Sequence, residues 1–139
     1  AGVAGHWAGK GVFPPGVRTA RGDAALDFYQ EHFDAIEING TSHAMPSTST
    51  LASWRAHAAP SFSLALKAVS TFTHAPDPTA PPALAALRLF LDRALALGPH
   101  LGPILLQFPR SVAADPALLR AINRVSAEAE LSAAADPAA

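Results

Sequence analysis

The chain has 139 residues and a mass of 14.3 kDa, with 10 Lys+Arg against 11 Asp+Glu, a net charge of −1, and no cysteine. That length gives one domain with a core of its own, and the charge balance offers no electrostatic case for wrapping nucleic acid or lying on an anionic membrane. The missing thiols exclude disulfides, thiolate catalysis and cysteine-bound metal. Along the chain, short apolar runs at residues 2–5, 35–39, 63–68 and 104–108 alternate with segments of helical spacing. Asp23 can cap a helix bearing Leu26, Tyr29 and Phe33 on one face. Ser49 or Thr50 can open a shorter helix with Leu51, Trp54 and Ala58. Pro81-Pro82 leads into Leu84, Leu87, Leu91, Ala94 and Leu95, and Gly98 fits the stop. The apolar stretch around this stop, residues 94–109, is broken by Gly98, Pro99, Gly102 and Pro103, which excludes a membrane span there. Asp115-Pro116 reads as a cap followed by proline at the first helical position, then Leu118, Leu119, Ile122 and Val125. Four strand-then-helix units at about 30 residues each form the βαβ pattern of a parallel sheet. The expected class is α/β.

Each strand sorts its faces by parity. Ile36 and Ile38 oppose Glu37 and Asn39; Phe62, Leu64 and Leu66 oppose Ser63, Ala65 and Lys67; Ile104, Leu106 and Phe108 oppose Leu105 and Gln107. The bulky apolar parity suits a surface covered by helices. The other parity ends in a polar residue at the C-terminal end of the strand each time, where parallel α/β folds build their sites.

Lys67 is the sharpest candidate, because the chain has two Lys against eight Arg. Its ammonium can stabilise a phosphate or oxyanion, or act as an amine nucleophile or base if desolvated. A plain structural ion pair with Glu37 is the competing reading. Glu37 and Asn39 share a face about 6.6 Å apart, two residues at the rise of a strand. The carboxylate can serve as general base or hard metal ligand with Asn39 orienting a hydroxyl, or the two can join a buried hydrogen-bond network. Thr41 either lines the same mouth or caps a loop. Gln107 either orients a ligand or seals the strand ends. His74, in the loop after the third apolar run, can supply acid–base chemistry with Glu37. His6 ends the first apolar run with inward parity, and His43 falls in the loop after the second. His32, His57 and His100 are expected as surface or capping groups. No tight metal-ligand spacing occurs, so no metal is assigned and the cofactor is left unknown. Neither a phosphate-binding Gly-Lys loop nor a G-x-S-x-G elbow is present.

The same residues resemble a known family. His32-Phe33-Asp34-Ala35-Ile36-Glu37-Ile38-Asn39-Gly40-Thr41 is similar to a block H-F-x-x-V-E-x-N-x-T. Met45-Pro46, Trp54, the run from Phe62 to Ala68 and Thr73-His74 follow in order, and Leu101-Gly102-Pro103-Ile104-Leu105-Leu106-Gln107-Phe108-Pro109 resembles L-G-P-x-L-x-Q-x-P. These are landmarks of the YecE-like family, the domain of unknown function numbered 72, whose members form TIM-type (β/α) barrels. The first block departs from the family: Gly2-Val3-Ala4-Gly5-His6-Trp7 runs about two residues short and lacks a tyrosine. A (β/α)₈ barrel seldom falls below about 200 residues. The resemblance therefore implies the N-terminal half of a barrel over residues 1–125, with 126–139 as an Ala-rich, frayed tail. A half-barrel exposes strand edges, so self-association is expected. No basic, apolar leader opens the chain, and the cytoplasm is the expected compartment. The implied activity is that of an uncharacterised barrel enzyme acting on a small polar or phosphate-bearing substrate. The alternatives are a metal-dependent phosphodiesterase resembling endonuclease IV and a non-catalytic ligand-binding barrel.

Overall fold

The computed structural model describes residues 23–113 and 115–135. The run at residues 2–5, and with it His6, lies outside them. The described elements are α1 (Asp23–Gln30), β1 (Ala35–Ile38), α2 (Thr48–His57), β2 (Ser63–Lys67), α3 (Ser70–Thr73), α4 (Pro81–Ala94), β3 (Leu101–Leu105) and α5 (Pro116–Ala135), with 3₁₀ turns at Asn39–Ser42 and Leu95–His100. The strands form one parallel sheet in the order β1-β2-β3, with Glu37 opposite Ala65, Ile38 opposite Leu66 and Lys67 opposite Leu105.

The expected α/β class holds, and the parity argument is plainest on β2; β1 is half-buried throughout, and Gln107 and Phe108 lie beyond β3. Along β2 the side chains alternate between half-buried and buried, with Leu64 and Leu66 both at 0% exposure. These two leucines join one apolar core with Leu51 of α2, Leu87 and Phe90 of α4, and Leu118, Ile122 and Val125 of α5. Burial on this scale stabilises by about 1.5–3 kcal/mol for each large side chain fully removed from water. Residues of the opposite parity, including Glu37, Ala65 and Lys67, stay half-buried on the face that the helices leave uncovered.

Several boundaries differ from the sequence expectation, each for a local reason. Ser47, not Ser49 or Thr50, caps α2, its side chain accepting from the Thr50 amide at 3.1 Å. α1 ends at Gln30, so Phe33 sits beyond it, packed against the core. β3 begins at Leu101 and ends at Leu105, three residues earlier at each end than its apolar run suggests. Gly102 explains the shift, because β3 approaches β2 so closely there that an added Cβ would collide with the Ser63 hydroxyl and lie 3.1 Å from the Ala65 nitrogen. Gly98 has a positive φ (56°), but its ψ of −127° is not that of a helix stop, and it lies inside the 3₁₀ turn that follows α4 rather than at the end of α4 itself. His100, expected as a surface or capping group, is 9% exposed with Nδ1 3.2 Å from the Phe62 carbonyl.

The largest correction falls on the C-terminal segment. Residues from Ser126 continue α5 to Ala135 rather than fraying, and Ala129 is buried one turn beyond Val125. The spacing of Leu118, Ile122, Val125 and Ala129 keeps one stripe toward the core, and small residues suffice to extend it. Among the described residues no helix is long and apolar enough to cross a membrane.

Gly102→Ala is expected to destabilise the protein by about 1–3 kcal/mol, the usual cost of forcing extra volume into a packed contact. Gly40→Ala is the control, since nothing lies within 4 Å of its added Cβ. Urea denaturation of the two variants measures the difference, and equal midpoints would contradict the close-approach account.

Candidate functional site at the strand ends

The site begins from the open face of the sheet. Glu37 on β1 lies opposite Ala65, and Lys67, two residues further along the same face of β2, lies opposite Leu105. With strands about 4.8 Å apart and a rise of about 3.3 Å per residue, the Cα atoms of Glu37 and Lys67 are about 8 Å apart. Both side chains are half-buried. The competing reading, a structural ion pair between them, is not realised. Ion pairs among the described residues are Arg88–Asp92, Arg88–Glu128 and Arg124–Glu128, all on the helices. Leu105, beside Lys67, is 40% exposed and gives the mouth an apolar wall.

The chain after β1 turns at once into the 3₁₀ segment that carries Asn39 and Thr41. Asn39 is half-buried at the head of that turn, and its carbonyl accepts from the Ser42 hydroxyl at 2.8 Å. Thr41 has a different part from lining the mouth. It is 2% exposed, and its hydroxyl lies 2.9 Å from the Ile38 carbonyl and 2.6 Å from the Lys67 carbonyl. Its one proton is spent on backbone, so Thr41 ties the end of β1 to the end of β2 and sets the position of Lys67. On the far side the Ala68 amide donates to the Leu105 carbonyl at 3.0 Å. The last residue of β2 is thus held from both neighbours.

His74 and Gln107 do not join Glu37 and Lys67 in one cluster. His74 is exposed and lines a shallow cleft of about 640 Å³ between α3 and α4, with Ser70, Thr71 and Asp77. Gln107 is exposed beyond the end of β3, and His43 is exposed after the 3₁₀ turn. Phe108 also falls past the strand, where it packs edge-on against the fully buried Phe72 at 5.6 Å between ring centres. That aromatic pair pins the loop after β2 over the strand ends. Sequence reading named Thr73 only as a family landmark and missed Phe72; the signal available was the run Ser70-Thr71-Phe72-Thr73 directly behind Lys67. A second cleft, of about 300 Å³, is lined by Leu87, Leu101, Ile104, Ile122 and Glu130 among others, on the helix-covered side of the sheet. It is remote from Glu37 and Lys67, and its chemistry is that of packing. Among the described residues no group of three or more His, Asp and Glu is placed to hold a metal ion.

In the α3–α4 cleft the Thr79 hydroxyl and then its amide, at 2.6 and 2.8 Å, hold the Asp77 carboxyl below the usual carboxylate range. Because the folded value is lowered, this loop contact is intact above the ordinary Asp range and is lost as pH falls through the lowered value.

This is a parallel β/α protein whose polar side chains gather at the C-terminal ends of adjacent strands. The family model described as "Protein of unknown function DUF72" matches residues 4–135, and the chain belongs to that family. The match runs through the segment expected as a tail. Among solved structures, a DUF72 family protein from Enterococcus faecalis V583 is similar with a TM-score of 0.55 at 14% identity, over 73% of this chain and 42% of that one. At that identity the likeness speaks to the fold, and this chain spans less than half the length of that protein. Comparison with curated proteins returned no match.

Two outcomes are expected. Thr41→Val should lower stability by about 1 kcal/mol, the net worth of one hydrogen bond, in a denaturant titration. Thr79→Ala should move the Asp77 pKa part of the way toward the ordinary carboxylate range in an NMR titration, and an unchanged value would show that the Thr79 hydroxyl is not a cause.

Proposed function

We propose that this chain is part of a TIM-type β/α barrel that binds a small polar or phosphate-bearing ligand at the C-terminal ends of its strands and acts on it as an enzyme. Lys67 is the anion-binding group, Glu37 the proton acceptor, and Asn39 and Gln107 orient the ligand. Thr41 contributes through the backbone of Lys67 rather than by touching the ligand. His74 serves from the neighbouring loop, and His6 from the end of the first apolar run. The observation that carries this reading is the juxtaposition of Glu37 and Lys67 on the uncovered face of the sheet without an ion pair between them. At the strand ends, with their Cα atoms about 8 Å apart, the two side chains can both reach a group placed between them. The ammonium is suited to a phosphoryl oxygen, and the carboxylate to a hydroxyl proton. Barrel closure by further strands and a cytoplasmic location belong to the same reading.

The test is an NMR titration of the chain with inorganic phosphate and with glycerol phosphate. The expected result is a saturable shift of the Lys67 and Leu105 amides that Lys67→Ala abolishes. Glu37→Gln should keep the binding while removing any turnover measured in the longer protein. Phosphate shifts that survive Lys67→Ala would sink the assignment.

A further inference from the structure

We propose that Thr73 is a positioning residue that fixes the His74 imidazole as its Nε2–H tautomer, so that the neutral ring offers a hydrogen-bond donor to an anionic group in the α3–α4 cleft. The inference rests on the reading of this end of the sheet as a ligand site, and it adds to that reading the protonation state of one of its groups.

The starting point is the loop behind Lys67. Thr73 is 2% exposed, so its hydroxyl has no recourse to bulk water. Two acceptors are within reach: His74 Nδ1 at 2.9 Å and the Val69 carbonyl at 3.4 Å. The carbonyl already accepts the Phe72 and Thr73 amides, each at 3.1 Å, which occupies both of its lone pairs. A third donor at 3.4 Å is longer than an O–H···O bond ordinarily runs, whereas 2.9 Å is an ordinary distance to a ring nitrogen. The hydroxyl proton therefore goes to Nδ1. That nitrogen must then supply a lone pair, and the proton of the neutral ring resides on Nε2.

The opposite tautomer is worse for an identifiable reason. Nδ1–H would donate to the Thr73 oxygen, and the hydroxyl proton would be left with the saturated Val69 carbonyl alone. A buried hydroxyl without a good acceptor is costly. Position is fixed as firmly as protonation. Phe72, buried and edge-on to Phe108, anchors α3 from below, while the His74 amide donates to the Ser70 carbonyl at 2.8 Å. The ring itself is exposed and lines the α3–α4 cleft beside Ser70, Thr71 and Asp77. Of these, Asp77 Oδ1 is engaged by Thr79.

The chemical consequence is a reversal of role. A histidine presenting Nε2–H does not take a proton from the ligand through that atom. It donates a hydrogen bond to an oxygen that carries or develops negative charge. Glu37 is then the group left to accept a proton at the strand ends, while His74 is a donor in the neighbouring α3–α4 cleft.

The experiment is long-range ¹H–¹⁵N NMR of the imidazole nitrogens, at a pH where the ring is neutral, on the wild-type chain and on Thr73→Val and Thr73→Ser. The expected result is the Nε2–H pattern in the wild type and in Thr73→Ser. Thr73→Val should move the tautomer ratio about fivefold toward Nδ1–H, the worth of one ordinary hydrogen bond. An Nδ1–H ring in the wild type overturns the proposal by itself, whether or not the valine variant folds; so does an unchanged ratio in a folded Thr73→Val. Adding inorganic phosphate to the wild-type sample separates the two readings. A ring in the Nε2–H state with no phosphate-dependent shift at His74 or Lys67 overturns the ligand site and leaves the part of Thr73 in place.

Discussion

Everything in the sheet follows from one constraint on β2: its two faces meet different environments, and the backbone allows no compromise between them. Leu64 and Leu66 point into the helices and lose all contact with water, and that obliges Ser63, Ala65 and Lys67 to point the other way. The neighbours inherit the rule through register, so Glu37 falls on the side of Ala65 and Leu105 on the side of Lys67. A slip of one residue would bring Lys67 among the leucines, where an unpaired ammonium is prohibitively costly. The apolar core thus decides where the charged groups stand, and on the far side the β2–β3 register shifts by one residue beside Gly102 before Leu105 comes opposite Lys67.

Within this frame the end of β2 is tied on both flanks. The Lys67 carbonyl meets the Thr41 hydroxyl, and the Ala68 amide meets the Leu105 carbonyl. These bonds use backbone groups that would otherwise stand unpaired where the ladder stops. They leave the side chain of Lys67 with no structural duty of its own. Thr41 and Thr73 are alike in this respect: each is nearly inaccessible, and the hydroxyl of each is engaged by a neighbour.

The periodicity of the chain made the fold class legible, because strand parity and helical spacing are direct imprints of burial. It also made legible that Glu37 and Lys67 share one face of the sheet, as odd polar residues in otherwise apolar runs. Boundaries were harder to read where backbone contact decides them. β3 starts at Leu101 because of an approach at Gly102 that no apolar pattern reports, and α5 continues to Ala135 because alanine fills a narrow contact without an obvious hydrophobic signature. His100 looked like a surface group because its burial depends on a carbonyl 38 positions away. Thr41 looked ambiguous for the same reason, since its partner at Lys67 lies 26 positions along the chain. Local pattern reveals which side a residue faces, while the identity of its partner comes only with the fold.

The opposite end of the sheet is built in another style. There the long side chains are committed to backbone partners: Gln30 Oε1 accepts the Ala59 amide at 2.7 Å, Arg55 donates to the Ala96 carbonyl at 3.2 Å, and His100 lies beside the Phe62 carbonyl. Such links fasten the segments that lead into β2 and β3 before the strands begin. These fastenings stand a strand's length away from Glu37 and Lys67. Substitution of Glu37 or Lys67 therefore leaves them untouched, and the two ends of the sheet can change independently.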